Sequence, residues 1–228
     1  MAELWRPFTF EFFRNGLIVA TVAGALCGLI GVFVVLKGMS YIGHGLSHAI
    51  FGGFAASSLL GVNLLLGAGV WGVASALMIN GVTRRRVIGA DAAIGVITTA
   101  SFALGLTLFA AFGRRGRNFD AALFGSILGV GWSDVAAVLT VAVGVGLVVF
   151  FGYRRLLFTT FDPDVAEASG VNTARVDAVL MLALAASILV TMQVLGVTLI
   201  AATLVIPPTI ARMLTSSFSR MLWSSTVI

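Results

Sequence analysis

The sequence predicts an all-α, polytopic transmembrane helical bundle of about seven spans or broken spans, with one short polar helix between two of them. Three observations predict it. Hydrophobic residues make up 59% of the chain and charged residues 10%, against about 25% charge in a soluble domain, and mean hydropathy is +1.09. The apolar residues fall into runs of about 20, the length that crosses a hydrocarbon core of about 30 Å at 1.5 Å per residue. Arginines collect at the ends of these runs, at 84–86, at 114, 115 and 117, and at 154–155. There they set orientation in a membrane rather than contact nucleic acid. Residues 1–228 read as a single transmembrane domain.

Residues 1–15 carry Glu3, Arg6, Glu11 and Arg14 and lack the basic start and short apolar core of a cleavable signal. Residues 16–36 form a first span closed by Lys37, and residues 42–60 a second that holds both histidines. Residues 62–82 are the third, running into Arg84, Arg85 and Arg86. Residues 91–112 are the fourth, opened by Asp91, whose carboxylate suits the positive end of a helix. Residues 119–132 are too few for a loop plus a span and read as a short helix packed between spans. Residues 135–151 are the fifth, closed by Arg154 and Arg155, and residues 178–195 the sixth. Asp134 and Asp177 lie near span ends and read as interface or capping residues. The 27 glycines suit close helix packing in a membrane. Cys27, the only cysteine, reads as a small packing residue.

Residues 197–214 are less regular because they contain Pro207 and Pro208. Each proline removes a backbone donor and breaks the helical ladder. The pair reads as a kink or helix start, with Pro208 near a first turn, or as a broken helix lining a pathway.

Residues 161–171 are the longest acidic-polar insertion. Asp162 is placed to cap a short helix that opens with Pro163, with Asp164 and Glu167 in its first two turns and Gly170 as its stop. This is a solvated connector or a docking knob for a partner. If the fourth and fifth spans go out and back, the arginines at 84–86 and 154–155 share a side. The excess of positive charge puts that side, with 161–171, in the cytoplasm and the N-terminus outside.

His44 and His48, the only two histidines, lie four residues apart, which puts both imidazoles on one helix face. Ionisable groups at membrane depth are costly and mark pathways or ligand sites, and imidazole binds Zn, Cu, Fe and Ni. The plain alternative is two histidines bonded to neighbouring carbonyls or to Ser40, Tyr41 and Ser47. The chemistry of a phosphate-cradling loop is missing: the single lysine, Lys37, precedes Gly38 and Met39 and follows no glycine-rich turn. There is no HExxH and no GxSxG segment either.

The run from Val34 to Ala49, V-V-L-K-G-M-S-Y-I-G-H-G-L-S-H-A, resembles the second-span signature of the metal-type ABC permeases, typified by the bacterial zinc-uptake permease. The run L-F-G-S-I-L at 123–128 and the F-D-P-D-V-A and G-V steps at 161–166 and 170–171 are similar to further segments of that family. So are G-V-T-L-I at 196–200 and L-V-I-P at 204–207 followed by Ala211.

The resemblance implies a permease subunit of an ATP-binding-cassette importer for a divalent transition metal in the bacterial cytoplasmic (inner) membrane. His44 and His48 would be the metal ligands. Asp162, Pro163, Asp164, Ala166, Glu167 and Gly170 would form the cytoplasmic coupling helix that docks the ATPase, and Pro207 and Pro208 a broken helix on the pathway. It also implies ATPase subunits on separate chains, an extracytoplasmic metal-binding protein, a second permease subunit in a homodimer and surrounding lipid, with no nucleic acid and no permanently bound cofactor. The cargo would be Zn2+, or Mn2+ or Fe2+ as alternatives.

The family carries an acidic residue where this chain has His44, a change that favours zinc on ligand softness. Members usually continue for about two more spans, so the chain reads as incomplete at its C-terminal end. Two readings of other classes stand beside this one. A membrane-embedded metal-dependent enzyme would need a third ligand and a base, and a secondary carrier would need an internal acidic relay.

Overall fold

The computed structural model describes residues 6–39, 41–85, 88–112, 125–126 and 129–228. Arg86, Arg114, Arg115, Arg117, Ser40 and most of 119–132 lie outside these residues. The described secondary structure is helical. After a short 3-10 turn at Arg6–Thr9 come α1 (Glu11–Leu36), α2 (Ile42–Leu60), α3 (Leu64–Arg84), α4 (Ala90–Phe112), α5 (Trp132–Phe161), α6 (Pro163–Ala168), α7 (Thr173–Leu214) and α8 (Phe218–Val227). Five of these, α1, α3, α4, α5 and α7, are long and apolar enough to cross a membrane.

The other two crossings have physical reasons. Helix α2 is 19 residues long, and 12 of them are buried. It is sandwiched between α3, α4 and α7, so Gly43, Gly45, Ser47, Gly52, Gly53 and Ser57 are buried against protein.

Helix α7 is two rods. Gly196 sits at φ 74°, ψ 163°, a conformation open in practice only to glycine. As one straight rod its 42 residues would span about 63 Å. Instead Asp177 bonds Lys37, while Arg212 and Thr215 share a groove with Leu36, the neighbour of Lys37. Both ends of α7 therefore meet the same end of α1, and the chain doubles back at Gly196. The span boundary expected between 195 and 197 is this reversal. The carbonyl of Gln193 in the last turn before it accepts the Ser126 N–H at 3.1 Å, and Gly125 packs against the backbone of Val194–Gly196. Two of the runs that carried the resemblance thus meet one another.

The expectation of a break or helix start at Pro207 and Pro208 is corrected. Helical geometry continues through both prolines. The ring of Pro208 takes the place of the N–H that would reach Leu204, and the carbonyl of Leu204 rests on Gly31 of α1, where a side chain would not fit. Close packing by a neighbouring helix covers the freed acceptor, so the rod survives.

Helix α8 runs back beside α1. Phe218 contacts Phe33, and the Ser225 hydroxyl donates to the Gly28 carbonyl at 2.7 Å. The main core joins α1, α2 and α7 through Phe33, Ile42, Leu46, Phe51, Leu184, Ile188, Ile200 and Leu204.

Candidate functional site

Helix α2 carries His44 and His48 toward α4. Their ring centroids are 4.4 Å apart with planes at 81°. Tyr41 flanks the first ring at 5.5 Å and Phe102 of α4 flanks the second at 4.6 Å. Both histidines are half-buried. The close approach of α2 to α4 comes from Gly52, whose backbone lies on the Ser101 carbonyl and against Gly105.

The Ser47 hydroxyl is fully buried. It donates to the His44 carbonyl at 2.8 Å, with the Val197 carbonyl at 3.4 Å. This links the histidine turn to the first residue after the α7 reversal. Ser47 therefore bonds backbone rather than either imidazole. The Nδ1 atom of His48 is buried and has no hydrogen-bond partner among the described residues. A buried polar atom in that condition costs free energy unless a ligand occupies it. Among the described residues no group of three or more His, Cys, Asp or Glu side chains is placed to hold a metal ion. At this point of the described chain the donor chemistry is two adjacent imidazoles.

Helix α6 has the expected ends. The Asp162 carboxylate accepts the Val165 N–H at 3.0 Å, and Pro163 stands at the first helical position. The N–H groups of Gly170 and Val171 return to the carbonyls of Glu167 and Ala166, with Gly170 at φ 84°, a full Schellman stop. Pro163, Asp164, Val165 and Glu167 are exposed. Ala166 is the exception. It is 0% exposed, packed inside its own chain, so it cannot be a docking contact. Its small side chain lets the helix lie against the bundle.

Sequence reasoning missed a polar junction under α6. The Asp177 carboxylate pairs with Lys37 Nζ at 2.9 Å and with Arg84 Nη1 at 3.2 Å. It is an ion-pair centre, not a cap. Asn172 caps α7 instead, accepting the Arg175 N–H at 3.0 Å. Asp134 does cap α5, accepting the Gly131 N–H at 2.9 Å. At the far end of the bundle, Asn63, Asp134, Gln193 and Ser126 line a cleft of about 510 Å3. Arg155 and Arg175 share a groove at the Lys37 end, so Arg84 and Arg155 lie on one side, as the arginine pattern implied.

The chain is similar to several named proteins. It is 35% identical over 216 residues to the "Manganese transport system membrane protein MntC" of Halalkalibacterium halodurans, covering 94% of this chain and 73% of that protein. It is 30% identical over 222 residues to the "Chelated iron transport system membrane protein YfeD" of Yersinia pestis, covering 97% and 74%. Among solved structures it matches "PsaBC from Streptococcus pneumoniae in complex with Fab" with TM-score 0.83 and 33% identity, over 95% of this chain and 78% of that one. Residues 9–228 match the ABC 3 transport family. The helical bundle, the paired histidines and these likenesses agree: the chain belongs to the ABC 3 transport family and is the permease of an ABC metal importer.

Proposed function

We propose that His44 and His48 are the pathway ligands through which this permease passes a divalent transition metal. The observation that carries the reading is the buried, unpartnered Nδ1 of His48 beside the His44 ring. An ion arriving there would engage a lone pair that no described protein donor occupies. Two subunits around a dyad would bring four imidazoles together, enough for a tetrahedral shell. A shell shared across a movable interface would also release its ion.

The names of the similar proteins favour manganese or iron as cargo. The imidazole at 44, where relatives are expected to carry a carboxylate, favours zinc. Manganese and iron are the ions to test first, with zinc as competitor. Residues 1–228 act as one permease domain in the bacterial cytoplasmic membrane, working as a homodimer among lipids. An extracytoplasmic binding protein delivers the metal. ATP is hydrolysed on separate subunits that dock on α6 through Pro163, Asp164, Val165 and Glu167, with Asp162 and Gly170 shaping the helix ends. The metal-enzyme reading is weaker, because the described residues offer the pair no third ligand.

His48→Ala is expected to reduce metal uptake at limiting concentration by at least about tenfold, with the amount of inserted protein unchanged. Uptake at the unsubstituted rate would remove His48 from the pathway.

A further inference from the structure

At the Lys37 end of the bundle, one continuous polar chain joins five segments. Lys37 Nζ, just past the end of α1, donates to Asp177 at 2.9 Å and to the Thr159 carbonyl in the last turn of α5 at 3.3 Å. Arg84, the last residue of α3, donates to Asp177 at 3.2 Å and to the Thr173 hydroxyl at 3.2 Å. The Thr173 hydroxyl in turn donates to Glu167 of α6 at 3.4 Å. The side chains of Lys37, Asp177 and Arg84 are 13%, 19% and 33% exposed. They border a cavity of about 360 Å3 that Pro163, Glu167 and Thr159 also line. Asp177 holds two cations, one just past the end of α1 and one closing α3.

What lies beyond each cation matters. Lys37 is followed by a tight turn in which the N–H groups of Gly38 and Met39 return to Val35 and Val34, and the Ile42 N–H to Met39. Helix α2 begins at Ile42, two residues before His44. Helix α3, which ends at Arg84, packs along α2. A displacement of Asp177 would therefore reach the histidine helix from its start and from its flank.

We propose that Asp177 is a positioning residue for transport: it binds the docking helix α6 and the start of α7 to the ends of α1 and α3, so that these segments move the histidine helix together. The proposal rests on the reading of α6 as the ATPase dock. Mere spatial continuity does not make a coupling path; non-additivity of substitutions does.

The test uses the complete importer, permease with its ATPase and binding protein, reconstituted in lipid vesicles. Asp177→Asn keeps the shape and removes the charge. It is expected to lower metal ions imported per ATP hydrolysed at least about fivefold, while the metal concentration for half-maximal uptake stays within about twofold. Asp177→Glu should restore at least half of the ratio, and Lys37→Ala combined with Asp177→Asn should be no worse than the worse single change. A ratio unchanged by Asp177→Asn, or additive losses in the double variant, would overturn the proposal. If Asp177→Asn does not insert, Thr173→Val carries the same test, because it deletes only the hydroxyl between Arg84 and Glu167. Crosslinking of Val165→Cys, exposed on α6 and outside the polar chain, to the ATPase separates the two ideas. A crosslink that persists while the ratio falls supports the role of Asp177. A ratio that falls with no crosslink in any variant would remove α6 as the dock and overturn the proposal with it, whereas an unchanged ratio with the crosslink intact would overturn the proposal alone.

Discussion

The two polar sites of this bundle are built on opposite terms. Around Asp177 the charges are matched: Lys37, Arg84, Thr173 and Glu167, with the Thr159 carbonyl, are joined by hydrogen bonds across five segments. Around His44 and His48 there is little to bond with. The rings touch each other and Phe102, and one nitrogen has no partner at all among the described residues. A group that must hold segments in place gains from having every bond made. A group that must accept and then surrender an ion gains from having a bond to spare. On the two roles proposed above, the difference in satisfaction, rather than in charge, separates the gripping side from the conducting side.

The strongest challenge to the gripping side is Ala166→Arg. Because Ala166 is fully buried, an arginine there must displace α6 or bury an unpaired charge, at a cost of several kcal/mol, about 3 or more. Loss of folded protein, read by size exclusion in detergent, is the expected result. Val165→Arg, at a side chain 49% exposed, should leave folding alone and reduce stimulation of the ATPase. Equal folding of both variants would mean that α6 is held by its ends alone.

Next in size is Gly196→Ala. An alanine at φ 74°, ψ 163° costs about 1–3 kcal/mol, and the α7 reversal also carries Val197 against Ser47. A lower melting temperature with reduced uptake is expected. A variant as stable as the parent would show that the turn is held from outside.

On the conducting side, His44→Asp should shift competition uptake toward manganese over zinc by about tenfold, since oxygen donors suit the harder ion. An unchanged ratio would move selection to another component. The smallest effect belongs to Thr83→Val. Thr83 Oγ1 is also buried without a partner among the described residues, but it sits on the gripping side, where an idle hydroxyl has no stated use. Removing it should be neutral or stabilising by up to about 1 kcal/mol, with uptake intact. If uptake collapsed as for His48→Ala, an unpartnered atom would no longer distinguish the two regions.

Much of this was legible in the sequence because it is local. Apolar runs gave the spans, the i, i+4 spacing gave the touching imidazoles, and Asp162, Pro163 and Gly170 gave both ends of α6. What escaped is non-local. The prolines at 207 and 208 read as the irregular point because their neighbours in sequence cannot reveal Gly31 covering the Leu204 carbonyl. Asp177 read only as an interface or capping residue because its partners lie 140 and 93 positions away. Ala166 read as a contact because a helix of six residues is too short for periodicity to mark its inner face.

The reversal at Gly196 has a consequence for bookkeeping by side of the membrane. A stretch of 42 helical residues counted as one crossing changes the parity of everything after it; counted as an out-and-return pair, it changes nothing. The start of α8 then shares a compartment with α6 and Lys37, and the packing of α8 against α1 begins from the face that carries α6.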